Sequence, residues 1–175
     1  MVKGMDITKL ESFVEELGDA VQALATPAAE AAAQVIYERM QFNVAHIPQI
    51  AGNVAESIYL ADASDGRPEG VASYHISWDS TAAPHASLIE YGYWQRYAVR
   101  YTRQGWVTQI RPEMQGKPEP GPYASQAQKD AYYLQRPGGP AYIAGKAFAR
   151  GALSAAEKAC DAAESVLLAH ITEME

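Results

Sequence analysis

Hydrophobic positions change their period twice along this chain. Between Asp6 and Leu24, the residues Leu10, Phe13, Val14, Leu17, Val21 and Leu24 recur at spacings of one, three and four, which sets them on one face of a helix. Asp6 is placed to cap it, because a carboxylate there accepts from free backbone N–H groups of the first turn. Thr26-Pro27 reads as a fresh start, with threonine as the cap and proline at the first helical position. The spacing predicts a second helix from there to about Phe42, with Ala28, Ala32, Val35, Ile36 and Met40 inward. Pro48 and Gly52 end the helical pattern.

From Ser57 the period is two. Ser57 to Ala61 is a strand-forming run, and Ala72, Tyr74, Ile76 and Trp78 alternate with Ser73, His75 and Ser77. Asp65-Gly66 and Arg67-Pro68 supply the turn between them, so a β-hairpin is expected. A second pair is expected from Tyr97 to Thr102 and from Trp106 to Ile110, joined by Arg103-Gln104-Gly105. Arg111 to Pro140 has no regular period and carries Pro112, Pro118, Pro120, Pro122, Pro137 and Pro140. It also holds Tyr123, Tyr132 and Tyr133, which a purely solvated linker has little use for.

The last stretch, rich in alanine, reads as one helix from about Ala141 to Thr172, reaching about 45 Å at ~1.5 Å per residue. Its apolar stripe is Phe148, Leu153, Ala156, Ala159, Val166 and Leu167. The fold class expected is therefore α+β: a small, mostly antiparallel sheet flanked by N-terminal helices and a long C-terminal helix. The core is expected to include Leu17, Val21, Ile36, Ile58, Tyr74, Ile76, Trp78, Leu88 and Ile89.

Composition narrows the function classes. At 175 residues, 48% apolar and 20% charged, the chain is an ordinary globular protein with room for one domain, 1–175. No run approaches the ~18 apolar residues of a membrane span, and Met1 to Asp6 lacks the apolar core of a signal peptide. No membrane association is expected. The one cysteine, Cys160, rules out an internal disulfide and fits a reducing cytoplasm; mid-helix beside Asp161, it reads as a small packing residue. A net charge of −7 argues against a surface that grips nucleic acid, since such surfaces cluster Lys and Arg against phosphates.

Catalytic signatures are missing from the sequence. There is no glycine-rich phosphate loop, no His-Glu-x-x-His, no nucleophile elbow and no paired-cysteine motif. A metal site from His75, His85 and Glu90 has no support in spacing, so no catalytic residue, metal or cofactor is expected. The aromatics say more. With 11 tyrosines against 3 phenylalanines, the chain favours side chains that bury a ring and keep a polar tip, as interfaces do. The interface residues singled out are Tyr93, Trp94, Tyr97, Arg100, Tyr101, Trp106, Tyr123, Tyr132 and Tyr133. Arg96, Arg100, Arg103 and Arg111 leave a local strip facing DNA as a second reading of the same region.

At His85-Ala86-Ser87-Leu88-Ile89-Glu90-Tyr91-Gly92 the chain resembles the tail-completion, or minor tail, proteins of long-tailed bacteriophages. Three further elements stand in the family's order. They are Gly52 to Ile58 before the first strand, Val71 to Trp78 as the second strand, and Gly138-Gly139-Pro140-Ala141-Tyr142-Ile143 where a proline-aromatic element opens the family's last helix. Each is short, and the specificity comes from the series. Two departures stand out: an insertion of about Tyr93 to Gly139 follows Gly92, and Ala141-Tyr142 replaces Pro-Phe.

The resemblance implies a structural virion protein of the phage neck or tail, made in the host bacterial cytoplasm. It implies a ring of about six identical subunits that completes the tail and joins it to the head connector. Its partners would be other copies of itself, the head connector or head-closure protein, and the tail terminator or tail tube protein. DNA would pass through the lumen without specific binding. A tail terminator or head-closure protein is the neighbouring alternative. An alternative of another class is a small hydrolase using His85 and Glu90, with the insertion as its lid. Read without the family, Leu88, Ile89 and Tyr91 anchor a short helix, Gly92 ends it in a left-handed turn, and Glu90 points away from those anchors.

Overall fold

Residues 8–47, 51–68, 70–103 and 105–173 are described by a computed structural model. Its contacts divide the chain into two units: Met1–Ala86 with Phe148–Glu175, and Ser87–Ala147. Each has both helices and antiparallel strands, and the fold is α+β.

The first unit is organised by α1, Thr8–Ala45, a single helix where the sequence predicted two. Pro27 lies inside it. A proline there removes one N–H from the ladder and crowds the preceding turn, at a cost of about 3 kcal/mol. Burial outweighs that cost, because Ala28, Ala33, Met40 and Val44 are all buried on the stretch that follows. Propensity is a weak prior against tertiary packing of this extent. Of the expected core, the side chains of Leu17 and Val21 lie outside the described residues.

Helix α2, Ala51–Ser57, runs directly into strand β1, Ile58–Asp62. Strand β2, Tyr74–Trp78, pairs with it antiparallel in the expected hairpin. The register Ile58↔Trp78 and Leu60↔Ile76 puts the apolar pairs on one face, which α1 packs against. Ile58 is buried as expected, whereas Ile36, Tyr74, Ile76 and Trp78 are only half-buried. A two-stranded ribbon has too few neighbours to close over its own edge residues, so the alternation is right in phase and weak in depth.

The expected C-terminal helix is the largest correction. Ala141–Ala144 is strand β6, Arg150–Ala155 is a 3-10 helix, and only α5, Ala156–Glu173, is α-helical. Its 18 residues span about 27 Å, well short of the expected length. Gly138 and Gly139 have φ of +83° and +86° before Pro140, and Ala147 has φ +51°, so the backbone turns twice before any helix begins. Phe148, 1% exposed, packs edge-on to Trp78 with ring centroids 5.5 Å apart, and its carbonyl accepts from Asn43 Nδ2 at 2.9 Å. Helix α5 then packs along α1. Leu153, expected in the stripe, is 66% exposed on the 3-10 helix, and Cys160 is exposed instead of packed.

In the second unit the order is α3 (Ala86–Tyr91), β3 (Gly92–Gln95), β4 (Val99–Thr102), β5 (Gly105–Thr108), α4 (Gln126–Tyr132) and β6. Among the described residues, the single sheet expected from the sequence is three two-stranded sheets, β1-β2, β3-β6 and β4-β5. The β4–β5 hairpin was expected, but β3–β6 joins strands far apart in sequence and left no local signal.

Candidate interaction surface

The second unit is built around one close crossing of the chain. Gly92, at φ +87°, ends α3 and opens β3, and a Cβ there would stand 2.7 Å from the Gly145 nitrogen. A Cβ on Gly145 would stand 2.6 Å from the Tyr91 carbonyl carbon, so only two glycines let these strands meet. Beyond them Lys146 N donates to Ile89 O at 2.7 Å and Ala147 N to Glu90 O at 3.2 Å. The Glu90 side chain is 0% exposed, so it is neither a surface carboxylate nor open to a substrate. Ile89 is buried as expected, while Leu88 and Tyr91 are exposed and do not anchor the helix from within. Among the described residues no three His, Cys, Asp or Glu side chains could hold one metal ion.

Strand β3 carries Tyr93 and Trp94, both exposed, Trp94 at 70%. Its register with β6 places Trp94 opposite Tyr142, with ring centroids 5.7 Å apart. Tyr142 Oη donates to Tyr91 O at 2.6 Å, which fixes that ring on the ribbon. On the second ribbon Tyr101 faces Trp106 edge-on at 5.4 Å, with exposures of 56% and 53%. Arg100, also exposed, follows Val99 on the same strand. Two antiparallel ribbons thus each present an aromatic pair to solvent, and large apolar surface left exposed marks sites of interaction.

The proline-rich stretch after β5 is folded on its own unit. Residues 133–135 run beside both strands of the second hairpin's base, with Tyr97 bridging Gln135 and Ile110 bridging Tyr133. Ala98 N donates to Leu134 O at 2.9 Å and Leu134 N to Gln109 O at 2.8 Å. Helix α4 starts with a capping box, in which Ser125 Oγ accepts from Gln128 N and Gln128 Oε1 accepts from Ser125 N. The Ser-x-x-Gln signature at 125–128 was readable in the sequence, and with it this helix.

The candidate tyrosines accordingly divide in two. Tyr132 is buried and donates to Lys117 O at 3.0 Å. Tyr97 donates to Asp130 Oδ1 at 2.8 Å, and Gln126 Nε2 donates to both. Burial, then the bond to Asp130, raises the Tyr97 pKa, while the Gln126 bond and then the Tyr97 bond hold the Asp130 carboxyl below its ordinary value. Tyr133 donates to the Glu119 carboxylate in a short bond that, with partial burial, pushes its pKa up to about 12. These three rings are taken up by the unit itself. Tyr123, 99% exposed, joins Tyr93, Trp94, Arg100, Tyr101 and Trp106 as the exposed set.

Among the described residues no helix is long and apolar enough to cross a membrane. Comparison with protein-family models, with curated proteins and with solved structures finds no match to this chain.

Proposed function

We propose that this chain is a structural component of the neck of a long-tailed bacteriophage, a ring-forming protein that completes the tail and joins it to the head connector. The observation that carries this reading is the pair of exposed aromatic ribbons, Trp94 with Tyr142 and Tyr101 with Trp106. Two-stranded ribbons are marginal in water and leave outer edges unpaired, so a neighbouring subunit that covers them gains both apolar burial and backbone pairing. Head-to-tail contacts of that kind close into rings when the rotation per subunit permits. The resemblance of 85–92 adds a second support, because its Glu-Tyr-Gly end coincides with the buried Glu90 and the Gly92 crossing. A residue whose replacement the local backbone cannot accept is one a family motif would retain.

The partners proposed are copies of the same chain, the head connector or head-closure protein, and the tail terminator or tail tube protein. With a net charge of −7 the lumen is proposed to pass DNA without gripping it. The test is reconstitution with the products of genes adjacent to the one that encodes this chain. Binding to a connector or tail tube protein supports the reading, and neighbours that encode an enzyme pathway, with no binding to virion proteins, would contradict it.

A further inference from the structure

Arg136 has a tightly held backbone and one buried side-chain nitrogen without a partner among the described residues. Its N–H donates to Arg96 O at 3.0 Å, its carbonyl accepts from Gly139 N at 2.9 Å, and Gln135 before it bridges Tyr97. One nitrogen of the guanidinium lacks such company. Its Nη1 is shut off from solvent and meets no hydrogen-bond partner among the described residues. A charged donor withdrawn from water without an acceptor is costly, and it calls for an explanation. The side chain lines a cavity of about 380 Å³. The walls are apolar at Val99, Leu134 and Pro137 and carry amides at Gln95 and Gln109. Gln109 Nε2 is already engaged with Val99 O, and the Tyr97 hydroxyl with Asp130, so Arg136 is the charged donor of this cavity with a nitrogen unspent.

We propose that this cavity binds a carboxylate on a short apolar stem, seated on the Arg136 guanidinium. The guanidinium stays protonated at every working pH and offers a planar fork of N–H donors that two carboxylate oxygens match. Binding would turn the guanidinium about its outer torsions to bring Nη1, shut off from solvent here, to the ligand. The apolar walls accept the stem, and the volume lies at the low end of the roughly 300–1,000 Å³ typical of ligand cavities. A phosphate fits less well, since phosphate sites gather several cations or a run of backbone N–H groups and this cavity has one cation. The carboxylate has two sources of the same chemistry: a free organic acid, or an Asp or Glu side chain of a second copy of this acidic chain. The site stands on its own geometry and does not depend on the phage reading.

The experiment is a titration of benzoate into the isotope-labelled full chain, followed by magnetic resonance at the Arg136 side-chain N–H and the amides of Ala98, Leu134 and Arg136. Saturable shifts at these positions are expected, with benzamide, neutral and of the same shape, at least about tenfold weaker. Arg136→Gln should abolish saturation, and Arg136→Lys should weaken it about tenfold because the fork is lost. Should the variants fail to fold, the wild-type comparison still decides. No saturation, equal binding of benzamide, or tighter binding of inorganic phosphate at the same amides each overturns the proposal. The source is read in parallel from native mass. If benzoate dissociates self-associated chains, the carboxylate is a side chain of the second copy; if it binds with no change in mass, the ligand is a free acid.

Discussion

Tyr101 on β4 stands directly opposite Trp106 on β5, their rings edge to face with centroids 5.4 Å apart, while more than half of each side chain faces solvent. The pair holds its own ribbon together and still has surface to offer. A double-mutant cycle with Tyr101→Ala and Trp106→Ala should give a coupling of about 0.5–1.5 kcal/mol in the stability of the free chain. Coupling near zero would mean that the rings do not meet in solution.

Gly92 and Gly145 should be nearly irreplaceable. Gly92→Ala adds a Cβ at a φ of +87° and 2.7 Å from the Gly145 nitrogen, and should cost about 3 kcal/mol in urea unfolding. Gly121 has open space around it and no positive φ, so Gly121→Ala should stay within about 0.5 kcal/mol of wild type. Equal effects at the two positions would contradict the crossing.

Phe148 and Trp78 touch, yet their truncations should differ. Phe148 is fully buried, and Phe148→Ala should cost about 3–5 kcal/mol. Trp78 is half-buried, and Trp78→Ala should cost about half as much, because less apolar area leaves contact and the cavity opens to water. Thermal unfolding of both variants would show the order.

The tyrosines give the fold a pH signature. Tyr133 has its folded pKa raised to about 12 by its bond to Glu119, so its contribution is fully present below the ordinary tyrosine value near 10 and is lost as pH rises from about 10 to 12. A tyrosinate absorbance titration should show a late-titrating phase whose amplitude Tyr133→Phe reduces. Asp130 has the opposite sign. Its lowered pKa means a contribution present above the ordinary aspartate value near 4 and lost as pH falls below it. A Tyr133→Phe variant that leaves the amplitude of the late-titrating phase unchanged would contradict the Glu119 bond.

Much of the fold was legible and one half of the surface was not. The first hairpin followed from alternation between His75 and its neighbours, and the second from two short runs around Gly105. Those are local signals, carried by residues that lie close in the chain. Pro27 misled because a helix boundary signal was overridden by burial along α1. Ala141 to Ala155 misled because alanine favours a helix only where no strand partner exists, and β3 supplies one across a long separation. The aromatic candidates were chosen by residue type, which cannot tell Tyr132, buried against Lys117 O, from Tyr123, almost wholly exposed. Arg136 could not be singled out at all, since an unpaired donor is a property of its surroundings and not of the sequence.

Identical subunits are expected to meet at the exposed aromatic ribbons. Native mass spectrometry across a concentration series tests it most directly, on the wild type and on a Trp94→Ser/Trp106→Ser variant. The 19.0 kDa chain is expected to assemble into one closed oligomer as concentration rises, and the double variant, folded by its circular dichroism, to remain a single subunit. A wild type that stays monomeric at every concentration, or a variant that assembles as well as the wild type, would contradict it.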